Sequence, residues 1–162
     1  MKAGFPKPDH DHARCVADTL HRAEEACEER GARLTPLRRR VLEELAESHM
    51  PVGAYEIVDR LKKGGDSTPA MSVYRALDFL VGEGLAHRIE SRNAFLACNR
   101  GHDAEEVVVF LLCERCSVVA EVNSSEVGRG LVRAASAVGF EAHAPVLEIK
   151  GLCEQCRRAK AG

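Results

Sequence analysis

Residues 68–98, TPAMSVYRALDFLVGEGLAHRIESRNAFLAC, decide the reading of the amino-terminal half. Thr68-Pro69 opens a helix, because proline is pre-set for a first helical turn. The helix continues through Met71, Val73, Tyr74, Leu77, Leu80 and Val81 to Gly82. Val73, Ala76, Leu77 and Leu80 recur at helical spacing and face inward, which leaves Tyr74 and Arg75 together on the outer face. Two short strands follow, Leu85–Glu90 and Ala94–Cys98, with a turn at Ser91-Arg92-Asn93. Three further helical patterns precede this stretch. The first runs from Asp11 to Arg30 on Val16, Leu20, Ala23 and Cys27, and Gly31 is its natural stop. The second opens at Thr35-Pro36, uses Leu37, Val41, Leu42 and Leu45, and ends near Ser48. The third, Gly53–Lys63, is closed by Gly64-Gly65. Helices followed by a two-stranded hairpin make a winged helix-turn-helix. Met1–His10 is polar with two prolines and reads as a loose arm.

A composition break at Asn99-Arg100-Gly101 introduces a different pattern. Glu106–Leu112 is β-branched and apolar, a buried strand. Ser117–Val122 is a second strand, Ser124/Ser125 caps a helix through Gly139, and Pro145–Lys150 alternates as a third strand. The fold class is therefore α+β: a winged helix-turn-helix followed by a small α/β domain. The domain limits are 1–92 for the winged helix, with 1–10 as the arm, 93–103 for a hinge, and 104–162 for the second domain.

Two Cys-x-x-Cys pairs, Cys113/Cys116 and Cys153/Cys156, bracket that second domain. One lies in the turn between its first two strands and the other follows its last strand. Each puts two thiolates on one tight turn at the spacing of tetrahedral zinc sites, so four sulfurs can meet in one structural site. Seven cysteines is an odd number, and no secretory signal precedes them, which argues against a disulfide framework.

Composition limits the remaining classes. The 162 residues make one domain or two small ones, with 45% hydrophobic and 4% aromatic residues and no Trp. A small carboxy-terminal unit with few aromatic anchors benefits from a metal staple. No apolar run reaches membrane-spanning length, and the chain reads as a soluble cytosolic protein. Net charge is −2, and residues 1–90 hold 14 Lys+Arg against 16 Asp+Glu. Any DNA contact must then come from local patches. The dense one is Arg33, Arg38, Arg39 and Arg40, which taken alone reads as a solvated helix face. Arg is the commonest reader of guanine, and Tyr can pack a thymine methyl or bond a phosphate, so Tyr74 and Arg75 are candidate base readers.

The runs TPLRRRVLEEL (35–45), AYEIVDRL (54–61) and SVYRALDFLVGEGLAHRIES (72–91), with CERC (113–116) and GLCEQC (151–156), resemble the ferric uptake regulator superfamily. ALDFL, the HRIES strand and NAFLAC are most similar to its zinc uptake regulator branch. The resemblance spans 15–157 and implies a homodimeric repressor that binds an AT-rich palindromic operator. It implies DNA contacts from Tyr55, Tyr74 and Arg75 and a phosphate contact from Arg38. Ser72 stands where the family usually has threonine; it keeps the hydroxyl for phosphate contact.

The resemblance also implies a second, regulatory metal site that joins the two halves. Its candidates are His87 on the wing, Cys98 at the wing's end, His102 in the hinge and Glu121 beyond the first Cys-x-x-Cys. One sulfur, two nitrogens and one oxygen satisfy tetrahedral zinc, and the thiolate favours Zn over Fe(II) or Mn(II). The cofactor is then zinc, about two ions per chain. Counted without a gap, the family's third ligand falls on Glu106, so Glu105/Glu106 remains open as the alternative to His102. His143 is a further candidate, shifted by one residue from the family's extra site. His10, His12 and Cys15 can bind metal opportunistically, and His21 and His49 read as surface residues. Two rivals are an iron- or peroxide-responsive regulator of the same superfamily and a thiol redox protein. Neither Cys-x-x-Cys opens a helix in a thioredoxin-like unit. No nucleophile–base motif appears, and Gly82-x-Gly84 and Gly128-x-Gly130 are too short for phosphate loops, so no enzyme activity is expected.

Overall fold

A computed structural model of the chain describes residues 5, 12–65, 68–98, 107–142 and 146–159. These form two compact units, one carrying 12–98 and the other 107–159. Each is described by itself.

The first unit holds four helices and a hairpin. Helix α1, His12–Glu29, buries Thr19, Leu20, Ala23 and Cys27. It ends as expected at Gly31, whose φ of 65° lets the Ala32 N–H reach back to the Cys27 carbonyl at 2.8 Å. Helix α2, Pro36–Ala46, has Thr35 as N-cap, its hydroxyl accepting from the Arg38 N–H. Helix α3 is Ala54–Lys63. Helix α4, Ala70–Gly82, buries the Val73, Ala76, Leu77 and Leu80 face read from its spacing. These faces join Val41, Leu42, Leu45, Ile57, Val58 and Leu61 in one core.

Strands β1 (Ala86–Ile89) and β2 (Ala94–Ala97) pair antiparallel, with His87 opposite Leu96. Their connection is a single 3-10 turn, Glu90–Arg92, and Asn93 at φ 46°, a left-handed position that asparagine tolerates. The sequence pattern missed a third contributor. Val52, before α3, bridges Phe95 by a reciprocal pair of 2.8 Å bonds. The wing is thereby tied to the connection between α2 and α3. One residue is too short to show strand periodicity.

The second unit is a three-stranded sheet in the order β4-β3-β5. Strand β3 (Val107–Cys113) pairs antiparallel with β4 (Val119–Ser124) and parallel with β5 (Val146–Gly151). A parallel pair needs a crossover, and helix α5 (Ser125–Ser136) supplies it, capped by Ser124 as expected. Gly128 on α5 sits against β3: a Cβ there would stand 2.8 Å from Val107 Cγ2. Strand β4 starts later than the pattern implied, because Ser117 at φ 64° still belongs to the turn. A short helix unforeseen in the sequence, α6 (Glu154–Arg158), closes the unit. Among the described residues no helix is long and apolar enough to cross a membrane.

Candidate metal centre and nucleic-acid face

The two Cys-x-x-Cys pairs meet because of strand register. Cys113, the last residue of β3, lies beside Gly151, the last residue of β5, in the parallel ladder. The turn after β3 and the start of α6 therefore emerge at the same sheet end. The Glu114 N–H donates to the Gly151 carbonyl at 2.9 Å, and the Arg115 guanidinium to the Cys156 carbonyl at 3.1 Å. Cys153 is the N-cap of α6, its sulfur accepting from the Cys156 N–H at 3.5 Å. The sulfurs of Cys113, Cys116, Cys153 and Cys156 all lie within 4.8 Å of one another. Cys116 and Cys153 are 3.8 Å apart. A tetrahedron with metal–sulfur bonds of about 2.3 Å has edges of about 3.8 Å, so the quartet fits zinc. All seven cysteines are unbridged.

The thiols do not titrate alike. Burial works to raise Cys113, but backbone N–H groups of Cys116, Cys153 and Arg115 outweigh it and bring its pKa down to about 6. Burial, together with the neighbouring Cys153, Cys113 and Cys116, pushes Cys156 up to about 12. Burial likewise raises Cys116. One thiolate is welcome in this cluster and further ones repel it, so four thiolates need a compensating cation.

In the first unit, Leu96 is opposite His87, and Cys98 is two residues beyond Leu96. The strand period of two then sets His87 and Cys98 diagonally on one face. The Cys98 N–H holds this alignment by donating to the Leu85 carbonyl at 2.9 Å. The Cys98 sulfur and an imidazole nitrogen of His87 come within 4.8 Å. In the second unit Glu121 lies on β4 opposite Phe110, buried at 8% exposure. His102, its alternatives Glu105 and Glu106, His143, and His10 of the arm lie outside the described residues.

On the outer side of α4, Arg75 is exposed, while Ser72 and Tyr74 are half-buried. Tyr55 projects from α3 at 76% exposure, and its ring meets Tyr74 edge-to-face with centroids 6.2 Å apart. Partial burial and the hydrogen bond with Tyr55 raise the Tyr74 hydroxyl. Arg38 has a partner that the sequence did not reveal: its guanidinium stacks 3.4 Å over the Phe79 ring and donates to the Arg33 carbonyl at 2.6 Å. Arg39 pairs with Glu24, so the arginine patch is partly neutralised from within.

A winged helix-turn-helix joined to a zinc-fitting α/β unit defines a metal-binding DNA-binding regulator as the class. The model of the Ferric uptake regulator family matches residues 29–150. The zinc uptake regulation protein of Escherichia coli K12 is 32% identical over 144 residues, covering 89% of this chain and 84% of its own length. A solved holo form of XcZur is 41% identical, with a TM-score of 0.80 over 87% of this chain and 98% of that one. A zinc uptake regulator solved with zinc and DNA is 31% identical, with a TM-score of 0.84 over 91% of this chain and 98% of that one. The chain belongs to the ferric uptake regulator family.

Proposed function

We propose that this protein is a zinc-responsive, homodimeric transcriptional repressor acting in the cytoplasm, which binds an AT-rich palindromic operator and shuts off zinc uptake. The observation that carries the zinc reading is the His87–Cys98 pair. An imidazole and a thiolate on one strand face form a soft donor pair, which suits zinc better than Fe(II) or Mn(II). The likeness to zinc uptake regulators, one of them solved on DNA, supports the same reading. In this reading Cys113, Cys116, Cys153 and Cys156 hold a structural zinc. His87, Cys98, His102 and Glu121 hold a regulatory one, for about two ions per chain.

When bound, zinc supplies a tetrahedral frame that joins ligands distant in sequence. The rest falls to the chain's own residues. His87 and Cys98 come from the wing and Glu121 from the sheet of the second unit, so satisfying them together restricts the segment between the units. A dimer with that segment restricted presents two α4 helices to successive major grooves, about 34 Å apart. Arg75 and Tyr74 read base edges, and Tyr55 packs beside them. Ser72 and the remaining N–H groups of Arg38 bond phosphates. Without the restriction, DNA affinity falls by the fraction of molecules in the competent arrangement.

The test is a zinc count per chain in wild type and Cys98→Ser, with binding to duplexes selected by the zinc-loaded protein followed against free zinc. The expected outcome is two zincs falling to one, with the zinc response of DNA binding lost. An unchanged response, or restoration by Fe(II) or Mn(II) but not Zn(II), overturns the reading.

A further inference from the structure

Met71 is large and apolar, yet it leaves 64% of its surface in water. It is the second residue of α4 and stands one helical turn before Arg75. Met71, Arg75 and Asp78 are all exposed and follow spacings of four and three, so they form one stripe along the helix. That stripe lies opposite the buried Val73, Leu77 and Leu80. Tyr74, three residues after Met71, borders the stripe, and the Tyr55 ring meets it edge-to-face. Met71 is thus a helical neighbour of both Tyr74 and Arg75.

A recognition helix presents its amino-terminal residues to base edges in the major groove. Those edges carry donors and acceptors, with one apolar exception, the 5-methyl group of thymine. A thioether has no hydrogen to donate and accepts only weakly, so the complement of Met71 on a base edge is that methyl. The unbranched side chain has three rotatable bonds and can follow an irregular surface. Packing the two together removes apolar surface from water on both partners. Four residues of helix advance about 6 Å, under two base-pair steps of about 3.4 Å each. A thymine met by Met71 therefore lies within about two base pairs of the base that Arg75 reads.

We propose that Met71 is a specificity-determining residue, which packs against a thymine methyl in each half-site of the operator. The inference rests on the repressor reading above and deepens it by assigning one base to one side chain. Arg75 supplies charge and hydrogen bonds at its own base, and Met71 selects thymine beside it through apolar contact alone. Deoxyuridine keeps every hydrogen-bonding group of thymine and lacks only the methyl, so it isolates this contact.

The experiment uses the full zinc-loaded chain and the duplexes it selects. Thymines are replaced by deoxyuridine one position at a time, symmetrically in both half-sites, and affinity is measured at fixed salt for wild type and Met71→Ala. In wild type, one position should weaken binding by about fifteenfold, since each lost methyl contact is worth about fourfold. Met71→Ala should weaken binding to the unmodified duplex at least as much, with zinc content and the circular dichroism spectrum unchanged. In that variant the deoxyuridine penalty at the same position should shrink to about twofold or less. Penalties that persist at every sensitive position overturn the proposal, because another side chain then holds the methyl. So does a loss in Met71→Ala with no thymine position sensitive, because the side chain then touches sugar or phosphate. Failure to select any duplex overturns the repressor reading and this inference with it, whereas zinc-dependent selection that ignores Met71→Ala overturns the inference alone.

Discussion

The four-cysteine cluster and the His87–Cys98 pair are both built from soft donors, but their surroundings differ. Every sulfur of the cluster belongs to one unit. Cys113 ends a central strand, Cys153 caps a helix, and the parallel register of β3 and β5 brings the two turns together. Four donors close the coordination sphere without help from elsewhere. The His87–Cys98 pair is an open half-site, because the described part of its unit adds no third donor within reach. A closed set stabilises the fold that carries it. On the proposed reading, the His87–Cys98 pair recruits further ligands from another part of the chain, which is what a sensor requires.

The difference can be broken first at the cluster. Cys113→Ser removes a buried sulfur that accepts the Cys153 N–H at 3.4 Å. It should destabilise the second unit by more than about 4 kcal/mol, since metal binding there is also folding energy. Urea unfolding followed by circular dichroism checks this; a wild-type midpoint would show that the cluster does not support the fold. Next, Cys98→Ser should leave the fold intact and shift the zinc concentration needed for DNA binding upward by at least about a hundredfold. A graded chelator titration extends the contrast. DNA binding should vanish while the helical signal persists, and the signal should fall only when the cluster's zinc is stripped. Simultaneous loss of both would erase the distinction between the sites.

Arg75→Ala provides the control on the DNA side. The residue is exposed on α4, so zinc content and stability should not move, whereas operator affinity should drop by about 1–3 kcal/mol. A drop in zinc content would show that the substitution disturbs the fold instead. The smallest effect is Thr35→Ala, which deletes the N-cap of α2 and should cost about 1 kcal/mol of stability in thermal unfolding. Its zinc requirement for DNA binding should stay at the wild-type value.

Much of this architecture was legible because it rests on local periodicity. The buried faces of α1, α2 and α4 follow spacings of three and four, and Gly31, Thr35 and Ser124 mark helix ends through their own backbone chemistry. The Cys-x-x-Cys spacing announced a zinc-type site because two thiols on one turn are a local property. Other features left no such trace. The Val52–Phe95 bridge, the seat of Arg38 on Phe79, the Tyr55–Tyr74 contact and the His12–His49 ring contact each join residues distant in sequence, with no period linking them.

The sequence by itself therefore determined most of the helices and strands and the faces they bury, and it marked the two Cys-x-x-Cys pairs as a metal-type site. Only the tertiary structure decided who meets whom. The placement of β3 between β4 and β5 brings Cys113 and Cys116 to Cys153 and Cys156, and the hairpin register sets Cys98 diagonal to His87. The physical reason is range. Caps and periodicity act over a few residues along the chain, whereas strand order and register are set by the packing of whole elements.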